Sequence, residues 1–204
     1  ESAVLWAIRM PRVLQTALVG GSLAIAGAAL QGVFRNPLAD PGVIGVSAGA
    51  SLGAIASIGF GMTIFGRFTT PVIAFVAGVV TTFIVFSLSR HNGRTEVVTL
   101  ILTGVAINAI AGALVGLVIT IADDAALRSI SFWSLGSVAG ASWKSVGAMA
   151  PFAFLGFILL PKWGGALNLF VLGERDARHL GVDTERIRVG VLLVTAAVVG
   201  CAVA

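Results

Sequence analysis

LQGVFRNPLADPGVIGVSAGAS, Leu30 to Ser51, sets an apolar segment that stops at an arginine against a glycine-rich apolar segment, with two prolines between them. A short polar hairpin, Arg35 to Asp40, thus parts two stretches that both read as buried. The same alternation runs through the chain on either side. Of its 204 residues 57% are hydrophobic and 11% charged, with a mean hydropathy of +1.03, whereas an ordinary soluble domain is about 25% charged. No soluble fold of this length hides so much apolar surface, so the surrounding solvent is mostly lipid.

Six apolar runs follow one another: Val13 to Phe34, Val43 to Phe60, Pro71 to Leu88, Val97 to Ala122, Val146 to Leu160 and Val189 to Ala204. Backbone amides in hydrocarbon must be bonded within their own segment, and the runs are continuous rather than alternating. The expected class is therefore an all-α, polytopic membrane bundle of about six transmembrane helices. The last run has 16 residues where a spanning helix needs ~20, so the sequence reads as a piece cut inside a helix. The opening ESAVLWAIRMPR starts with an acid and does not read as a cleavable signal peptide.

The net charge of +4 is spread between apolar runs without a basic patch, which argues against nucleic acid as a partner. The single cysteine, Cys201, excludes an internal disulfide and any CxxC metal site. Short loops rich in Lys and Arg stay on the cytoplasmic side. One set of alternate loops holds eight basic residues (Arg35, Arg90, Arg94, Lys162, Arg175, Arg178, Arg186, Arg188) and the other five (Arg9, Arg12, Arg67, Arg128, Lys144). This bias puts the opening hairpin, the SRHNGR loop and the Pro161 to Arg188 connection inside, and Asp123 and Asp124 outside. Gly45, Gly49 and Gly53 repeat every four residues, as do Gly112 and Gly116, which predicts flat stripes where helices approach closely.

No GxxxxGK[ST] phosphate loop, HExxH or GxSxG occurs, and His91 and His179 fall in loops, so no catalytic or metal site is expected. No run carries an ionisable residue near its middle, which disfavours an ion-coupled carrier. Energy for any transport would then come from another polypeptide. In GGALNLFVLGERDARHLGVDTERIR, Gly164 to Arg188, glycines at 173 and 181 bracket a short polar helix. Glu174 and Asp176 lie near its start and Arg178 and His179 near its end, matching the helix dipole. Such an elbow suits docking to a partner protein.

RMPRVLQTALVGGSLAIAGAALQGVFRNPLADPGVIGVSAGASLGA, followed later by LGERDARHLGVD, resembles the FecCD-type permeases of bacterial ABC importers for ferric siderophores, haem and cobalamin. The resemblance implies one transmembrane permease domain over residues 1–204, the second to the seventh of ten helices, with residues 161–188 as a cytoplasmic coupling segment. It also implies two ATPase subunits that hold ATP and Mg, a second permease subunit, an extracytoplasmic substrate-binding protein, and a place in the bacterial cytoplasmic membrane. No cofactor is expected in this chain. Leu172, Gly173, Glu174, Ala177, Leu180 and Gly181 match the family's ATPase-coupling elbow. Asn36, Pro37 and Leu38 match an inner loop that narrows the path, so the opening hairpin is expected to line a pore mouth. Arg9 and Arg12 match outer arginines that meet the binding protein. Asn108 and Trp133 are candidate pathway residues. By the same resemblance the cargo is an iron chelate, most simply a ferric siderophore, with haem or cobalamin as alternatives. An ion-coupled carrier or a non-transporting membrane scaffold are the rivals from other classes.

Overall fold

The computed structural model describes residues 2–91 and 94–204. Glu1, and Asn92 and Gly93 of the SRHNGR loop, lie outside them. In chain order the elements are α1 (Ser2–Val4), a π-helical turn (Leu5–Arg9), α2 (Met10–Phe34), α3 (Val46–Gly59), α4 (Thr69–Leu88), α5 (Val97–Ile121), α6 (Asp124–Leu135), α7 (Trp143–Lys162), α8 (Gly164–Phe170), α9 (Glu174–His179) and α10 (Thr184–Val203). Between α4 and α5 two short strands, β1 (Arg90–His91) and β2 (Arg94–Thr95), pair antiparallel. The chain is a helical membrane bundle, as its composition requires.

Five stretches are long and apolar enough to cross a bilayer: Leu5–Phe34, Gly66–Leu88, Val97–Ile121, Trp143–Lys162 and Thr184–Val203. The Val43 to Phe60 run differs from the six-span expectation. A 3-10 turn (Pro41–Ile44) takes its start, Gly45 turns the chain at φ +79°, and the 14 residues of α3 follow. At 1.5 Å per residue α3 reaches about 21 Å, short of a ~30 Å hydrocarbon core.

Two helix boundaries also move. Arg9 closes the π turn and Arg12 sits in the first turn of α2, so both lie inside the helical stretch rather than ahead of it. Pro11 has no amide to donate, and the wider turn, in which the Met10 N–H donates to the Leu5 carbonyl, carries the helix past it. At the other end Asp183 caps α10, its carboxylate accepting from the Arg186 N–H at 3.1 Å. The helix therefore begins at Thr184 and takes in Arg186 and Arg188, which hydropathy alone leaves in the connecting segment.

The glycine stripe of α3 packs closely against α4. A Cβ on Gly49 would lie 2.8 Å from the Ala77 carbonyl oxygen of α4, one on Gly53 2.8 Å from that of Ile73, and one on Gly78 2.9 Å from that of Val46. Gly112 and Gly116 of α5 have the same spacing, yet a Cβ on either would meet nothing within 4 Å. Their expected close approach is not made within the described residues. The buried core gathers Leu30, Val33, Ile44, Leu100, Phe170 and Val191.

The loops sort to two ends as the alternation of runs requires. At one end Arg12 and Trp6 reach Ala139 and Trp143. At the other, Thr95 of the α4–α5 connection meets Glu185 and Arg188 of α10.

Candidate functional site

The inner end is built from three pieces, of which the opening hairpin is the first. α2 ends at Arg35, the one described non-glycine residue with positive φ, 51°, and the chain turns back at once. The Asn36 side-chain carbonyl accepts from the Leu38 N–H at 2.9 Å, and Gln31 Nε2 donates to the Pro37 carbonyl at 2.9 Å. Asp40 then accepts from the Gly42 N–H at 2.7 Å, capping the 3-10 turn that Pro41 opens. Asn36 and Pro41 thus shape the turn itself. Leu38 stands out at the tip, 86% exposed. Gln31, Asp40 and Ser47 are the polar lining of an open cleft of about 560 Å³ between α2, this loop, α3 and α10.

The elbow is the second piece. α8 stops when Gly173 adopts φ +110° with ψ 151°, a conformation that favours glycine, and α9 starts. Gly181, φ +86°, ends α9 in a Schellman arrangement. The Val182 N–H donates to the Ala177 carbonyl and the Gly181 N–H to that of Arg178, both at 3.0 Å. Ala177 is fully buried, while Val171, Leu172 and Leu180 project as exposed apolar side chains. The pairing of Glu174 with Arg178 along α9 is present but long, 3.7 Å.

A third piece was not legible as such in the sequence. Arg188 is 1% exposed and its guanidinium binds three chain segments. It contacts Glu174 of α9, donates to Glu185 at 3.1 Å within α10, and donates to the Thr95 carbonyl at 2.8 Å. Glu185 in turn accepts from the Thr95 hydroxyl at 2.6 Å and from its N–H at 3.1 Å. Two carboxylates around one buried cation, with Arg178 beside Glu174, leave the cluster near neutral. The only sequence signal was an arginine three residues after a glutamate at the edge of an apolar run.

Asn108, placed on α5 as a candidate pathway residue, donates from Nδ2 to the Gly42 carbonyl at 3.0 Å and so fastens the inner loop. Thr99 donates to Glu96 at 2.7 Å. Trp133 of α6 is half-buried, packed on Ile55, Val118 and Ile130. Its neighbours Phe132 and Leu135 are the exposed ones. At the outer end Arg12 donates twice to the Ala139 carbonyl, at 2.8 and 3.1 Å, while the Trp143 indole N–H donates to the Trp6 carbonyl at 3.0 Å. Arg9 is exposed beside them.

With this geometry in place, the sequence model of the FecCD transport family matches residues 1–204. The chain belongs to the FecCD transport family. Similar proteins include the hemin transport system permease protein of Yersinia pestis, 40% identical over 97% of this chain and 60% of that protein. The cobalamin import system permease protein of Halobacterium salinarum is 38% identical over 96% of this chain and 52% of that protein. The molybdate import system permease protein of Haemophilus influenzae is 37% identical over 100% of this chain and 61% of that protein. Among solved structures, one described as an inward-facing conformation of a metal-chelate type ABC transporter superposes with a TM-score of 0.91. It is 33% identical and covers 99% of this chain and 64% of that one. The chain spans about three fifths of the length of the relatives it matches.

Proposed function

We propose that this chain is the larger part of the permease subunit of an ATP-driven ABC importer. It lies in the bacterial cytoplasmic membrane and works by alternating access. The observation that carries this is the elbow: a six-residue helix held between two left-handed glycines, with a buried base and exposed Val171, Leu172 and Leu180, at the end that the basic residues mark as inner. A rigid, partly apolar knob of this kind suits insertion into a groove of a separate ATPase. ATP is bound with Mg and hydrolysed there, on two such subunits, and the chain itself performs no chemistry.

On this proposal Leu172, Gly173, Glu174, Ala177, Leu180 and Gly181 carry the stroke, and Asn36, Pro37 and Leu38 form the inner gate. Arg9, with the partly engaged Arg12, offers guanidinium groups to acidic side chains of an extracytoplasmic binding protein. A second permease subunit completes the path. The cargo is proposed to be an iron chelate such as a ferric siderophore. The names of the relatives span hemin, cobalamin and molybdate, so cargo varies within a bundle of one design, and the binding protein is expected to choose it.

The test is reconstitution of the full-length permease in proteoliposomes with its ATPase and binding protein, offered a radiolabelled ferric siderophore, hemin and cobalamin in turn. ATP-dependent accumulation of the siderophore supports the proposal. Accumulation of hemin or cobalamin alone keeps the importer and overturns the cargo.

A further inference from the structure

We propose that the Glu174–Arg188–Glu185–Thr95 network is a joint that transmits displacement of the elbow to the inner loop Asn36–Leu38, with α5 as the strut between them. The proposal rests on the importer function above and names the route by which the stroke would travel.

Val171 faces Phe34, Arg35, Asn36 and Pro37 across an open hollow of about 700 Å³. The bonded route is indirect. Glu174 lies on α9 and binds Arg188, Arg188 lies on α10 and binds Glu185 and the Thr95 carbonyl, and Glu185 holds the Thr95 hydroxyl and N–H. α9 is thereby joined to the residue that leads into α5.

The far end of the strut is clamped as well. The Val43 carbonyl oxygen lies only 1.8 Å from where a Cβ on Gly104 would stand, so α5 and the Pro41–Ile44 turn are in backbone contact. One turn further along, Asn108 donates to the Gly42 carbonyl. From Val97, where α5 starts two residues after Thr95, to Gly104 is about 11 Å of helix, too short and too fully bonded to bend easily. For stability alone, apolar packing serves as well as a buried ion cluster. A guanidinium that joins segments 93 residues apart in sequence, through Thr95, sets their relative position as well.

The experiment uses the full-length permease in nanodiscs. Spin labels are placed at Leu38→Cys in the loop and Leu180→Cys on the elbow, in a Cys201→Ala background. Thr95→Val removes the hydroxyl bond while sparing the Arg188–Glu174 pair. Arg188→Lys keeps the charge but cannot bind all three partners at once. Without nucleotide, each variant is expected to widen the label-to-label distance distribution at least twofold. With the ATPase and binding protein present, uptake per ATP hydrolysed, read in the same variants without the labels and their cysteines, is expected to fall at least fivefold against wild type. A merely structural role lowers the yield of folded protein and moves neither readout. An unchanged distribution, or a widened one with unchanged uptake per ATP, overturns the joint. Where Arg188→Lys fails to fold, Thr95→Val decides alone. If the wild-type complex shows no nucleotide-dependent uptake, the importer function fails, and the distance distribution still decides the joint.

Discussion

Replacing Gly104 with alanine puts one methyl group where the bundle has no room for it. The new Cβ would stand 1.8 Å from the Val43 carbonyl oxygen, a backbone atom that cannot rotate aside. α5 and the Pro41–Ile44 turn must separate by more than about 1 Å before ordinary van der Waals contact is restored. Overpacking of this kind costs about 1–3 kcal/mol. The separation also strains the Asn108 to Gly42 hydrogen bond, worth about 1 kcal/mol more. Alanine returns up to about 1 kcal/mol through its better helix propensity. The net expectation is a loss of about 1–3 kcal/mol by combining these contributions. Gly112→Ala, two turns along the same helix and facing open space, is the internal control and should lose nothing. The assay is reversible unfolding of the full-length protein in mixed micelles with increasing SDS. Equal midpoints for Gly104→Ala and Gly112→Ala would refute the close approach.

Other perturbations have equally definite outcomes. Gly173→Ala and Gly181→Ala force φ of +110° and +86° on a residue with a Cβ, so each should cost about 1–2 kcal/mol locally and speed amide exchange across Glu174–His179 while leaving α3 and α4 protected. Arg188→Ala strands two carboxylates that are about a quarter to a third exposed, so a loss of about 2–3 kcal/mol is expected, below the value for a fully buried pair, read in the same SDS titration. Asn36→Ala removes the acceptor for the Leu38 N–H, and a thiol introduced by Leu38→Cys should then react faster with a soluble maleimide.

The span pattern was legible because hydropathy and polar loops alternate along the chain, and four of the six apolar runs match the long helices closely. The Val43 to Phe60 run was not, since Pro41 and Gly45 act on backbone geometry and leave hydropathy unchanged. Glycine spacing marks a face but not what covers it: Gly49 and Gly53 meet α4, while Gly112 and Gly116, equally spaced, meet nothing in the described residues. The elbow could be read locally, because two glycines bracket six polar or small residues and Leu180. Arg188 could not. Its burial depends on Thr95, far away in sequence, and a charge count treats it as any loop arginine. Asn108 and Trp133 were found by residue type, which cannot tell a side chain lining a path from one tying a loop or packing a helix.

The most direct test of a conduit driven from inside is transport by purified, full-length permease in vesicles, with and without the ATPase. Accumulation of cargo against its gradient is predicted only when the ATPase and ATP are both present, and it should vanish when the elbow is deleted between Leu172 and Asp183. Uphill accumulation by the permease alone would contradict the account.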